Sequence, residues 1–309
     1  MAIPAGNMKR TEELNKKYSI TEKIKFISGR GGFTNALVRH GCSECIVSLY
    51  GGHVMSYKPD GKDDLLWVSE YSYFEDGKAI RGGIPVCWPW FGDNPSSPEL
   101  PSHGFAKICD WNVKSSSSNE NFTELVLSLS DRDVPDKRFG TQPFELELSV
   151  RCGKKLEVAL ATYNSGNSDF KLTESFHTYF SVSDINKVFI SGLDGEEYSE
   201  KTGETRRKSI QSGPVTFSSK VARTYSGSAC DCEICDPGAG RKIKISKAGS
   251  RTTVLWNPWI AESAKSPDLE DNAYLEMVCV ETANAFSDSV TIAPGKTHRM
   301  KTVISSEML

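Results

Sequence analysis

The chain has 309 residues, of which 38% are hydrophobic, 10% aromatic and 25% charged, and this composition is typical of a folded globular protein. A formal net charge of −3 excludes a global basic field, so nucleic acid is not expected as a partner. No segment approaches the roughly 20 apolar residues of a membrane helix, so we expect a cytoplasmic protein without a membrane partner. We also expect a monomer.

Residues 1–20 are polar and are predicted to form an irregular or partly helical lead-in to a single domain over 21–309. After residue 21, short apolar segments are separated by Gly, Asp and Asn turns at the spacing of antiparallel strands. The predicted fold class is all-β, a large antiparallel β-sandwich, with helix confined to short pieces near 71–74 and 267–272. The predicted strands are 23–27, 33–39, 44–50, 53–58, 65–68, 144–152, 156–162, 188–190, 215–217, 242–246 and 252–256.

Nine cysteines are an odd number for a disulfide framework, which is more typical of much shorter secreted domains. Reduced thiols therefore fit better. Cys42 and Cys45 form one group with a spacing that zinc tolerates, and Cys230, Cys232 and Cys235 form another. The two groups are far apart in the sequence, and we expect no metal site.

Residues 81–93 interrupt the strand pattern with two prolines, three glycines and three aromatic residues. Such a segment suits the wall of a pocket better than a core strand. Arg81 begins it and is either a ligand clamp or a solvated loop cation. Shortly afterwards Ser102, His103 and Lys107 bring a second imidazole and a second cation close to a glycine.

The stretch 173–180 combines strand composition with a titratable group. Strand alternation puts Phe176 and Phe180 on one face, and His177 and Tyr179 on the other. An imidazole beside a phenol could face a sugar-sized polar space, and histidine acts as an acid or base near neutral pH. The alternative is a core histidine that is hydrogen-bonded to a backbone carbonyl.

Two later motifs also suit a pocket. Residues 253–259 end a strand in an aromatic and proline corner that contains Trp256, and residues 274–281 are predicted to be a strand that ends in the carboxylate of Glu281. A carboxylate at a strand end is usually only solvated.

Together, the segment Arg-Gly-Gly-Ile-Pro, the His-Gly step, Phe-His-Thr-Tyr-Phe, Trp-Asn-Pro-Trp and Cys-Val-Glu resemble the hexose-6-phosphate mutarotases of the aldose 1-epimerase superfamily. The resemblance spans about 33–304. It implies a galactose mutarotase-type β-sandwich, a catalytic pair of His177 and Glu281, and a phosphate contact from Arg81. Glu281 would act as the base, His177 as the acid on the opposite side of the sugar, and His103 as a second donor. No cofactor is implied.

Departures from the family pattern affect substrate binding. Ser102 and Lys107 stand where the family often has Gln and Arg, and Ala222 falls near the position of a sugar-binding Asp. Lysine keeps the charge but lacks the bidentate geometry of arginine. Three hypotheses follow: a hexose-6-phosphate mutarotase, an epimerase for unphosphorylated aldoses, and a non-catalytic carbohydrate-binding or assembly subunit.

Overall fold

A computed structural model of the chain describes residues 5–94, 97–134, 136, 139, 142–202 and 205–309. Strands make up 49% of the structure and pair in antiparallel sheets, which confirms the predicted fold class. No described helix is long and apolar enough to cross a membrane.

The largest sheet contains nine strands, which come from residues 112–308 and include the C-terminal strand. Within the described residues its spatial order is β16 (Val215–Thr216), β13 (Phe189–Ser191), β18 (Cys232–Asp236), β19 (Arg241–Ala248), β23 (Thr297–Met308), β9 (Leu156–Asn164), β8 (Phe144–Gly153), β7 (Phe122–Ser130) and β6 (Asn112–Ser118).

A second sheet carries most of the predicted site residues. Its spatial order is β15 (Thr205–Ile210), β14 (Glu197–Thr202), β17 (Val221–Ser226), β20 (Thr252–Asn257), β21 (Met277–Asn284), β11 (Glu174–Phe176) and β5 (Val86–Cys87), and β12 (Tyr179–Ser181) also pairs with β21. We call this the site sheet.

The remaining elements cover the N-terminal end and the edges. They are a sheet of β1 (Ile24–Ser28), β2 (Thr34–His40), β3 (Ser43–Ser48) and β4 (His53–Lys58), the pair β10 (Phe170–Leu172) and β22 (Val290–Ile292), and the helices α1 (Ala5–Tyr18), α2 (Trp259–Ser263) and α3 (Ala273–Glu276). The lead-in is therefore helical, and its Asn15 side chain bonds both backbone groups of Phe26 in β1. A single domain over 21–309 stays a prediction.

One cluster of buried apolar side chains draws on all three larger sheets. Leu146, Leu148 and Val150 of β8 contribute alternate residues to it, and β8 pairs antiparallel with β9, which follows it in the chain. On the site sheet, Val278 and Val280 belong to this cluster, so the intervening side chains of β21 face away from the core.

Several local predictions were wrong. Residues 71–74 and 267–272 contain no helix, and α3 occupies 273–276, where a strand was expected. The segment 65–68 makes only isolated bridges, at Leu66 and Val68. The polar strands β14 and β15 were not predicted, because β15 is mostly exposed and lacks apolar alternation.

Candidate active site

His177 lies at a break between two short strands rather than within one continuous strand. Segment 83–87 lies beside both strands in one continuous register: β11 pairs with β5, and beyond it the backbone N–H of His177 donates to Pro85 (3.1 Å) and that of Tyr179 donates to Gly83 (2.9 Å). The proline and glycine segment thus positions the histidine. As predicted, Phe176 and Phe180 are core residues, whereas the imidazole of His177 stacks on the Tyr179 ring at 4.8 Å.

Glu281 lies in the interior of β21, not at a strand end as predicted, because β21 continues to Asn284. Its side chain is only 2% exposed, so it is not a solvated carboxylate. Ser175, in the neighbouring strand β11, donates a hydrogen bond of 2.8 Å to Oε2 of Glu281. That bond leaves Oε1 free to face His177.

The imidazole and the carboxyl group are in direct contact, with 3.4 Å between His177 Nε2 and Glu281 Oε1. At this distance the two groups can exchange a proton directly, and their predicted placement on opposite sides of a bound sugar stays a prediction. Burial raises the pKa of Glu281 to about 8. Burial, followed by the neighbouring His103, lowers the pKa of His177. Around neutral pH the pair therefore holds one proton, with the carboxyl group as its favoured location.

His103 stands in a tight turn, with a positive φ of 63° followed by Gly104 at 72°. The backbone N–H of Gly92 donates to Nδ1 of His103 at 3.2 Å, so the imidazole proton belongs on Nε2. Burial lowers the pKa of His103 to about 4, which keeps the ring neutral at physiological pH. Its ring lies 5.5 Å from the ring of His177. At this distance the neutral Nε2–H of His103 can donate a hydrogen bond to a ligand that also contacts His177.

Lys107 is buried, and its ammonium group donates to the backbone carbonyls of Ser102 and Gly104. These bonds close the turn that carries His103. Burial lowers the pKa of Lys107 to about 8, so it keeps much of its charge at neutral pH. Among the described residues, no carboxylate pairs with this cation. The pocket therefore holds an uncompensated positive charge.

Arg81, by contrast, is already paired. Its Nε donates to Asp268 at 2.9 Å and its Nη2 donates to the same carboxylate at 3.2 Å, while Nη1 donates to the Tyr179 hydroxyl at 3.0 Å. It is neither a free clamp nor a solvated loop cation.

Trp256 and Ala222 occupy paired positions in β20 and β17, so they share one face of the site sheet. The Trp256 ring lies 6.0 Å from the ring of His177, which identifies that face as the site face. Ala222 therefore lies on the site face, and its correspondence to a sugar-binding Asp stays a prediction. The side chain of Ser102 is exposed at the pocket rim, and its carbonyl serves Lys107.

A cavity of about 300 Å³ is lined by Arg81, Ser102, His103, Lys107, His177, Tyr179, Asp268 and the neighbouring Ala79, Ile80, Pro85 and Cys87. Glu281, Trp256 and Ala222 are not among its lining residues, and Glu281 adjoins the cavity through its contact with His177. A larger groove of about 690 Å³ lies elsewhere, on the largest sheet, and contains none of the predicted site residues. Within the described ranges, no group of three or more His, Cys, Asp or Glu residues could hold a metal ion.

Two residues of the site were not predicted. Asp268 lies in a segment expected to be helical, and a lone aspartate there carries no local signal. Ser175 has no role in the sequence analysis, because its partner Glu281 is 106 residues away.

Comparison with known proteins identifies the family and the fold. The family model described as aldose 1-epimerase matches residues 36–305. A protein of Escherichia coli K12 named "Putative glucose-6-phosphate 1-epimerase" is 36% identical over 251 residues, which cover 81% of this chain and 82% of that protein. A protein of Cenchrus ciliaris with the same name is 31% identical over 296 residues, 92% of this chain and 87% of that one.

The crystal structure of a "putative mutarotase" from Salmonella typhimurium superposes with a TM-score of 0.86 at 29% identity and covers 94% of this chain and 96% of that one. The fold is thus a galactose mutarotase-like β-sandwich. The chain belongs to the aldose 1-epimerase family. Membership implies a carbohydrate substrate.

Proposed function

We propose that this protein is an isomerase that interconverts the α and β anomers of a hexose 6-phosphate, with Glu281 as the base and His177 as the acid. The observation that carries the proposal is the buried contact of 3.4 Å between His177 Nε2 and Glu281 Oε1. The names of the relatives, which specify glucose 6-phosphate, support the same substrate.

The reaction needs one base and one acid. The base removes the proton from the O1 hydroxyl, the acid protonates the ring oxygen, and the bond between C1 and the ring oxygen breaks to give the open-chain aldehyde. Rotation about C1–C2 and reclosure, with the two roles reversed, gives the other anomer. Each cycle returns both protons, so a pair that holds a single proton is sufficient.

The resting location of that proton adds a step. Because burial favours the protonated carboxyl group of Glu281, the carboxylate becomes available as a base only when its proton moves to His177. The direct contact between the two side chains supports such a transfer. His103 then serves as a neutral donor to the sugar, since its proton is on Nε2.

Two charges bear on the choice between a phosphorylated and a neutral sugar. Lys107 offers a buried cation without a carboxylate partner among the described residues, and this favours an anionic substrate. Asp268 cancels the charge of Arg81, so Arg81 is less available to phosphate than the resemblance implies. The uncompensated Lys107 supports the proposal of a hexose 6-phosphate.

Exchange NMR of the glucose 6-phosphate anomers tests the proposal. Wild type should catalyse exchange, and His177→Ala and Glu281→Gln should each slow it by about 10²–10⁴-fold, because a positioned proton-transfer group typically contributes that factor. Glu276→Gln, an exposed change shortly before β21, is the matched control and should keep the full rate.

Full exchange in either site variant removes that residue from the mechanism. Exchange of free glucose without exchange of glucose 6-phosphate identifies an epimerase for unphosphorylated aldoses. Binding of glucose 6-phosphate without any exchange leaves the non-catalytic binding subunit.

A further inference from the structure

The guanidinium group of Arg81 has most of its donors engaged. Asp268 accepts from Nε and Nη2, and the Tyr179 hydroxyl accepts from Nη1, so three of the five N–H groups are used. Asp268 holds the bidentate edge, which is also the edge that best fits two oxygens of a phosphate. A phosphate at Arg81 therefore has to share the group with a carboxylate.

Asp268 is anchored in this position. It lies in the loop between α2 and α3, where the next residue, Leu269, is 3% exposed. Glu270, two residues after Asp268, accepts a hydrogen bond from the hydroxyl of Ser69 at 2.9 Å and another from the backbone N–H of Glu70 at 2.6 Å. These contacts tie the loop to the segment that precedes Arg81, so the carboxylate does not swing freely away from the pocket.

The carboxylate of Asp268 reduces the positive charge that the pocket offers to an anion. Arg81 and Asp268 cancel each other, which leaves Lys107 as the uncompensated cation among the described pocket residues. Phosphate monoesters carry nearly two negative charges at neutral pH. A phosphate at Arg81 would therefore place its second negative charge near the carboxylate of Asp268, which repels it. A neutral sugar would not be repelled.

We propose that Asp268 is a specificity-determining residue, whose carboxylate competes with the substrate phosphate for Arg81 and thereby weakens the retention of hexose 6-phosphates. The inference rests on the proposed function for its substrate class. Removing the charge of Asp268 should therefore tighten the binding of anions and leave the binding of neutral sugars unchanged.

Calorimetric titration with inorganic phosphate, glucose 6-phosphate and glucose at constant ionic strength tests the inference. Asp268→Asn keeps one acceptor for Arg81 and removes the charge, so both phosphate ligands should bind about 10-fold more tightly, as expected for a hydrogen bond to a charged group. Glucose should bind as it does to wild type. Asp268→Ala provides a second variant if Asn alters the folding of the loop.

The matched control is Asp93→Asn. Asp93 is exposed and close enough to raise the pKa of His103, but it makes no hydrogen bond to Arg81 among the described contacts. Tighter phosphate binding in the Asp268 variants alone supports competition at Arg81.

Unchanged or weaker phosphate binding in those variants overturns the inference, and so does an equal gain in Asp93→Asn. If wild type exchanges neither sugar, the proposed function fails, but the phosphate titration still decides the role of Asp268 because it needs no turnover.

Discussion

Two opposing influences act on the carboxyl group of Glu281. Burial raises its pKa to about 8, and the hydrogen bond from Ser175 acts in the opposite direction because it stabilises the ionised form. Ser175 is itself only 1% exposed, so water cannot replace this bond easily. Ser175 thus positions Glu281 and keeps its proton removable.

The variant Ser175→Ala should shift the alkaline limb of the pH profile of kcat/KM upward. Without the donor, the pKa of Glu281 rises further, and the catalytic pair keeps its proton to higher pH. A hydrogen bond to a charged group contributes about 1.5–3 kcal/mol, which corresponds to about one to two pH units. The rate below the limb should fall, because the carboxylate form becomes less populated.

Lys107, with a pKa lowered to about 8, can add a second component to the same limb through substrate binding. The change in Ser175→Ala should leave that component in place, and Ser175→Thr, which retains the hydroxyl, should restore the wild-type profile. An alkaline limb that does not move in Ser175→Ala would show that Ser175 does not act on the titration of Glu281.

At the scale of elements, the turn of residues 102–107 presents His103 to the pocket. The turn depends on two successive residues with positive φ and on the bonds from Lys107 to the carbonyls of Ser102 and Gly104. Gly104 also lies against the backbone of Trp88, whose carbonyl oxygen would be 2.0 Å from an added Cβ. Glycine is required here for both conformation and space.

Gly104→Ala should therefore destabilise the fold and impair catalysis together. A left-handed conformation costs a non-glycine residue about 1–2 kcal/mol, and the clash with a backbone atom should bring the loss in the free energy of unfolding to about 3 kcal/mol or more. Displacement of His103 by about 1 Å should reduce kcat by about 10²-fold. Urea unfolding and exchange NMR measure the two effects.

Gly41→Ala is a matched control, because Gly41 has a φ of 57° and no heavy atom within 4 Å of an added Cβ. It should cost only the conformational term, about 1 kcal/mol, with full activity. Equal losses of stability in the two variants would contradict the role assigned to the contact with Trp88.

Strands with a buried face could be predicted from the sequence. The bounds of β4 match the prediction, and β8 and β9 agree to within two residues. The first half of β8 alternates between buried and more exposed side chains, whereas β4 and β9 are short apolar segments that are mostly buried on both faces. The mostly exposed strand β15, which carries Arg206 and Arg207, has no such pattern, and charge of this kind is usual on an edge strand.

At the scale of the whole molecule, the site is assembled from parts of the chain that are distant in sequence. His177 contacts Glu281 across 104 positions, and Arg81 contacts Asp268 across 187. Local patterns indicated candidate residues, and the family resemblance indicated which of them belong together. Neither could predict the Asp268 contact or the direct contact between His177 and Glu281, since both depend on the packing of the site sheet and the segments around it.

The same packing buries the carboxyl group of Glu281, and this burial lowers the stability of the fold by an amount that depends on pH. The pKa of Glu281 is raised from 4.5 to about 8 on folding, so the folded state binds this proton more tightly than the unfolded state. The cost is absent below pH 4.5, grows as the pH rises, and is fully present above about pH 8.

Glu281→Gln should accordingly be more stable than wild type, by an amount that increases between pH 5 and pH 8. At about 1.36 kcal/mol per pH unit, the difference in the free energy of unfolding at pH 8 should be on the order of 4 kcal/mol, and much smaller at pH 5. Gln keeps an oxygen that can accept the hydrogen bond from Ser175, so the variant removes the charge with little change in packing.

Glu145→Gln, at an exposed position of β8, controls for the loss of a carboxylate and should show no such pH dependence. Urea unfolding of the three proteins across this range measures the effect, and a difference between Glu281→Gln and wild type that stays constant with pH would show that burial does not raise the pKa of Glu281.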